Sequence, residues 1–234
     1  MAREDNKPTM NGDDVDKWTE ATLDGWNPSE HGWGPPEFDD AESGPPLSAA
    51  DLRKAHEDLA QWHLPIDFRR AVHNLFQRCR GPEFKKPEQF FLNAWTLARF
   101  VRHKPVGEIR LAVPSVQWPD GYVKIDRTIE NVEVTSAMMP GREMWKEHQI
   151  DNGTWSHDPV ENWVKRADAI PGALEEAIRR KAKRYSSRMW LVVYLNIPEW
   201  GIRQVEIERA IAEIKQRYAN SFDQLFVLWK DKLL

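Results

Sequence analysis

Asp120, Glu133 and Thr135 are polar residues in or beside two segments with strand character, and their spacing decides whether they meet. The segments Tyr122–Ile125 and Ile129–Ser136 are rich in β-branched and apolar residues, with only Asp126-Arg127-Thr128 between them. So short a connection allows nothing but a β-hairpin. A turn at Asp126-Arg127 pairs residues whose numbers sum to about 253, which sets Asp120 beside Glu133. Alternation along the strand puts Thr135 on the same face as Glu133. Two neighbouring carboxylates repel unless a proton or a cation lies between them, and an oxygen-only donor pair suits a hard ion such as Mg²⁺, with Mn²⁺ as a substitute. Asp126 and Glu130, nearer the turn, are expected to be ordinary exposed polar residues.

A cation is placed to answer this charge. On the helix expected over Gly172–Tyr185, Leu174, Ile178 and Tyr185 form an apolar stripe, and Lys181 occupies the same stripe. A lysine facing a sheet either reaches a carboxylate or extends its ammonium past the core edge to water. Arg179, Arg180, Lys183 and Arg184 surround it in sequence and form the strongest basic cluster of the chain, a solvated face or a surface for the phosphates of a nucleic acid. Glu88 lies one turn before Phe91 at the start of another helix, where an acid complements the helix dipole and also falls at the end of the buried stripe.

The elements that carry these residues form a regular series. Ser48 followed by Ala-Ala-Asp reads as an N-cap with an acid at the third helical position, opening a helix to about Trp62. Helices follow over about 65–80, with Phe68, Val72, Leu75 and Phe76 on one stripe, and over about 87–102, with Phe91, Trp95, Ala98 and Val101. Strands are expected at 108–113, 122–125 and 129–136, then a long irregular insertion over 137–171 with one or two short helical pieces around Met144 and Asn162, a helix at 172–185, a strand at 189–195, a helix at 203–218 and a strand at 225–229. Met189–Leu195 is apolar throughout, as suits a central strand covered on both faces. The pattern predicts an α/β domain over residues 47–234 with a mixed central sheet flanked by helices.

At this point the residues resemble a known signature. Pro119-Asp120, twelve residues, then Glu133-Val134-Thr135 resembles that of the PD-(D/E)XK nuclease superfamily, which has the restriction-endonuclease-like fold. The resemblance spans about residues 86–229 in element order. It implies that Asp120 and Glu133 hold Mg²⁺ and that the reaction is phosphodiester hydrolysis of DNA or RNA. The family's lysine, two places after the strand acid, is here Thr135, which can hydrogen-bond a water of the ion's shell and cannot supply a charge. In variant members the following helix donates the lysine, a place Lys181 occupies, and Glu88 matches an acid carried by the first core helix. The alternative is a catalytically silent member of the fold that works as a binding or regulatory module.

Other chemistries leave fewer traces. No glycine-rich phosphate loop, nucleophile elbow or dinucleotide fingerprint occurs, and His148, His157 and Asp158 fit no zinc spacing. Cys79, between two arginines, is the one cysteine and excludes an internal disulfide, which predicts a reducing, cytoplasmic setting. Met138, Met139, Met144 and Trp145 read as a lid, a contact patch or core filling. No run of about 18 apolar residues is present, and the first twenty residues do not read as a secretory signal. The formal charge of −4 conceals an asymmetry, because residues 1–46 carry 3 basic and 12 acidic side chains and the remainder 30 and 25. The Pro- and Gly-punctuated segment 1–46 is expected to be disordered, with Trp18, Trp26 and Trp33 docking on the body or its acids competing with a nucleic-acid backbone for it. It is also the expected contact for a protein partner, and the 12 tryptophans leave room for a homodimer interface.

Overall fold

Six strands form one mixed sheet in the order β1 (Glu108–Leu111), β2 (Gly121–Ile125), β3 (Thr128–Met138), β4 (Trp190–Asn196), β5 (Gln224–Trp229) and β6 (Lys232–Leu233), each strand pairing its neighbour in sequence. The computed structural model describes residues 47–78, 89–139, 160–184 and 189–234. The readings made for residues 1–46, Cys79, Glu88, Met144, Trp145, Tyr185 and the two insertion histidines lie outside the described residues. β1, β2 and β3 run antiparallel, β3, β4 and β5 run parallel, and β6 returns antiparallel along β5. Parallel neighbours need a crossover. Here α4 (Val160–Arg184) lies between β3 and β4 in the chain, and α5 (Gln204–Arg217) between β4 and β5.

The sheet separates two layers. On one face, α1 (Ala49–Leu59), α2 (Pro65–Arg78) and α3 (Gln89–His103) cover Ile109, Leu111, Val123, Val132, Val134, Val192 and Phe226. On the other, α4 and α5 cover Ala137, Leu191, Val193, Leu195 and Val227. The alternation of these sets along β3, β4 and β5 fixes which residues look toward α4. The expected stripes of α2 and α3 are where they should be, with Phe68, Val72, Leu75, Phe91, Ala98 and Val101 buried. α1 opens with the anticipated capping box: the Asp51 N–H donates to Ser48 Oγ at 3.2 Å and the Ser48 N–H to Asp51 Oδ2 at 2.9 Å. The Ser48 hydroxyl, donating to Asp51 Oδ2 at 2.7 Å, and the Ser48 N–H hold the Asp51 carboxyl below its usual range.

Two expectations need correction. The helical piece expected around Asn162 is not a short separate one, because α4 begins at Val160, twelve residues before the expected start at Gly172, and runs unbroken to Arg184. Pro171 and Gly172 look like a boundary, yet the buried series Ala167, Ile170, Leu174, Ala177 and Ile178 runs through them. A proline inside a helix costs about 3 kcal/mol. Burial of Ile170, Leu174 and Ile178, at roughly 1.5–3 kcal/mol each, outweighs it. The short β6 was also not anticipated; Lys230, at φ 55°, and Asp231 turn the chain back along β5 without any glycine or asparagine to mark the place.

Candidate metal and catalytic site

The hairpin has the anticipated register. Asp126 adopts φ 54° at the tight turn, and the ladder runs from Ile125↔Thr128 to Gly121↔Val132. There β2 ends, and the next β3 N–H that would face it, that of Val134, is taken by the Asp120 side chain, which accepts through Oδ2 at 2.8 Å. Asp120 thus caps the end of the ladder with a carboxylate beside Glu133. Its Oδ1 accepts from Asn93 Nδ2 of α3 at 2.6 Å. Gly121 explains how α3 comes so close: a Cβ at this position would lie 2.7 Å from Leu97 Cδ1 and 2.9 Å from the Arg110 carbonyl. Leu97 and Asn93 are one helical turn apart, so the contact that requires glycine also delivers the amide to Asp120.

Glu133 is in register with Leu191 of β4 and is 3% exposed. Its Oε1 accepts a hydrogen bond from Lys181 Nζ, an ion pair joining the α4 side of β3 to the last turns of α4. Lys181 therefore reaches a carboxylate instead of extending to water, although its side chain keeps 18% of its exposure. Burial, and secondarily the negative charge of Glu133, raise the Asp120 carboxyl to about 6; the Val134 N–H, Lys181 and Asn93 pull it the other way without cancelling the rise. The pocket holds two carboxylates and one ammonium.

Thr135 faces the α4 side with Glu133, opposite Val193, and is half-buried. The four basic residues around Lys181 do not converge. Arg180 and Arg184 project within about 100° of Lys181 around the helix, whereas Arg179 and Lys183 lie about 160° away. Arg179 is an exposed partner of Glu176 on the same helix, its Nε donating at 3.0 Å. As expected, Asp126 is exposed; Glu130 is half-buried. Asn93, 6% exposed, was not anticipated as a site residue. The available signal was an amide inside a helix whose neighbours are all core residues, since a buried polar group must find a partner.

Two carboxylates are the side-chain donors the pocket offers, and no group of three or more His, Cys, Asp or Glu side chains gathers among the described residues. Such a set is too small and too hard for structural zinc. It fits Mg²⁺, which keeps most of its own waters and binds through one or two carboxylates. Each Asp120 oxygen uses one of its two acceptor positions on Asn93 or Val134, leaving the other for an ion. No helix among the described residues is long and apolar enough to cross a membrane. Comparison of the chain with family models, with curated proteins and with solved structures finds no match.

Proposed function

We propose that the protein is a Mg²⁺-dependent nuclease of the restriction-endonuclease-like type, hydrolysing phosphodiester bonds of DNA or RNA at Asp120, Glu133 and Lys181. The observation that carries this reading is the ion pair between Lys181 and Glu133, which brings a helix-borne cation to the acid pair where the PD-(D/E)XK signature has Thr135 in place of lysine. The element order from α3 through β1, β2, β3, α4 and β4 supports it, as does the placement of the acids at the end of β2 and within β3.

In this mechanism Asp120 and Glu133 hold the ion. When bound, Mg²⁺ polarises a phosphoryl oxygen and makes water a better nucleophile at neutral pH. Lys181, beside the two acids that would hold the ion, would offer its ammonium to the charge that builds on the phosphorus oxygens. Asn93 and the Val134 N–H fix the Asp120 carboxylate, so its free acceptor positions are set before the ion arrives. Thr135 offers a hydroxyl on the same face.

A second reading has its own support. Lys181 already neutralises Glu133, and both Asp120 oxygens are engaged, as in a site closed for good in a binding or regulatory protein. Incubation with labelled DNA and RNA in Mg²⁺ or Mn²⁺ separates the two. The nuclease cleaves, and Asp120→Ala, Glu133→Ala and Lys181→Ala each lower cleavage by about 10²-fold or more. Equal traces in parent and variants refute the nuclease reading.

A further inference from the structure

The face of β1 and β2 on the α4 side carries a second ordered set of side chains. Residues that pair across strands share a face, so three successive rows can be followed over the sheet. The first contains Asp120 and Glu133. The second, about 7 Å further along the strands, is Arg110, Tyr122 and Asn131, and the third is Glu108, Lys124 and Ile129. Beyond β1, His63 pairs with Ile109 and turns toward the core, where it meets Phe68, so that its neighbour Trp62 turns to the opposite side with Arg110.

These side chains stack. The Arg110 guanidinium lies 4.4 Å from the Tyr122 ring centre and 4.9 Å from that of Trp62, and Lys124 Nζ is 4.2 Å from the Trp62 ring. All four are half-buried. The described helices against β1 belong to the other face, while α4 packs on β3 and β4. Arg110 is short of acceptors: Nε has none among the described residues, and NH1 makes a single long contact of 3.5 Å to the Ala60 carbonyl. A guanidinium held between two rings and so sparsely bonded is suited to a ligand that brings both acceptor oxygens and flat faces. Lys124 Nζ pairs with Glu108 Oε2 at 2.5 Å, so the net charge of the second and third rows is the single positive charge of Arg110.

We infer that this face is a track for single-stranded nucleic acid, with Trp62 and Tyr122 stacking bases and Arg110 and Lys124 holding phosphates. Aromatic rings accept any unpaired base by stacking, whereas a duplex keeps its base faces to itself. The track deepens the nuclease proposal, and rests on it for one point only: a strand lying along the rows passes the acid pair one row away.

The test uses the full chain in EDTA, so that binding is read without cleavage, with fluorescein-labelled oligonucleotides of about a dozen nucleotides. The single strand should bind more tightly than the duplex of the same sequence. Trp62→Ala should weaken it roughly tenfold, while Trp62→Phe, which keeps a stacking face, stays within about threefold of the parent. Arg110→Gln keeps a planar group without charge and should lower the salt dependence by about one phosphate contact. Parent-like binding by both Trp62→Ala and Arg110→Gln overturns the inference, as does preference for the duplex. So does a labelled poly-glutamate peptide that binds as tightly and with the same dependence on Trp62. Binding that follows these variants without any cleavage in Mg²⁺ sinks the nuclease and leaves the track. Cleavage that ignores Trp62 and Arg110 does the reverse.

Discussion

Two buried glutamates among the described residues, each held by a lysine, lie at opposite ends of the parallel part of the sheet, one within β3 and one just past β4. Glu133 is 3% exposed and Lys181 18%; Glu199, just after β4, is 1% exposed and Lys230, just after β5, also 18%, with Nζ 2.6 Å from Oε1. Burial and chemical type are matched, so the difference lies in the third partner. Beside Glu199 Oε1 is a donor, the Gly201 N–H at 3.1 Å, and the group is neutral and satisfied. Beside Glu133 is another acid, Asp120, and the group keeps a negative charge. A satisfied pair is architecture, whereas a pair with surplus buried charge carries a cost that only a cation or proton removes.

Stability should distinguish the two most strongly. Glu199→Ala leaves the Lys230 ammonium partly buried without its carboxylate and should cost about 3–5 kcal/mol, most of it regained when Lys230→Met is added. Glu133→Gln, in contrast, relieves repulsion while leaving Asp120 to face Lys181, and should change stability by less than about 1 kcal/mol in metal-free buffer. Urea denaturation of the variants decides this. A loss at Glu133 as large as that at Glu199 would make both pairs structural and remove the basis of the catalytic reading. Cleavage should show the opposite ranking. Lys181→Met is expected to lower kcat by roughly 10²–10³-fold, the usual loss when one donor to a transition-state oxyanion is removed. Lys230→Met should leave the rate per folded molecule unchanged.

The same contrast explains what the sequence disclosed. The acid pair was legible because a two-residue turn leaves the hairpin register no freedom, and strand alternation then fixes both faces. Lys181 was legible because helical periodicity set it on an apolar stripe. Glu199 and Lys230 were not, since α5 and β5 separate them in the chain and no local period links their positions. Asn93 was hidden for a similar reason: its partner lies across the sheet edge, and the approach depends on the missing Cβ of Gly121. The start of α4 was misplaced because Pro171 is a local signal, whereas the core that overrules it is assembled only in the fold. Local rules reached the residues whose partners are near in sequence or fixed by a turn.

The titration of Asp120 gives an intermediate effect. Its folded-state value, about 6, lies above its ordinary value of 3.8, raised first by burial and then by Glu133. The folded protein therefore binds this proton more tightly than the unfolded chain does. Stability from this group is greatest below about pH 4, declines as pH rises toward 6, and is level above, a total of up to about 3 kcal/mol. Denaturation in EDTA across this range should show the decline in the parent. Asp120→Asn should remove it, and Glu133→Gln should shrink it by deleting the second cause. A decline unaltered by Asp120→Asn would mean that the carboxyl is not held in the pocket as described.

The smallest effect concerns the rim of the charged pocket. Arg184 projects about 60° from Lys181 around α4 and Arg180 about 100°, whereas Arg179 and Lys183 point away from it, with Arg179 already engaged by Glu176. Binding through phosphates releases one counterion per contact, so a cation that touches the strand adds close to one unit to the slope of affinity against salt. Arg184→Gln should accordingly reduce that slope by about one, and Arg179→Gln should leave it unchanged, because its charge points elsewhere. Oligonucleotide binding measured at several salt concentrations in EDTA reads both. Equal reductions from the two variants would show a diffuse basic surface in place of a strand directed past Lys181, and the rim would then add nothing to the distinction between the surplus-charge pocket and its neutral counterpart.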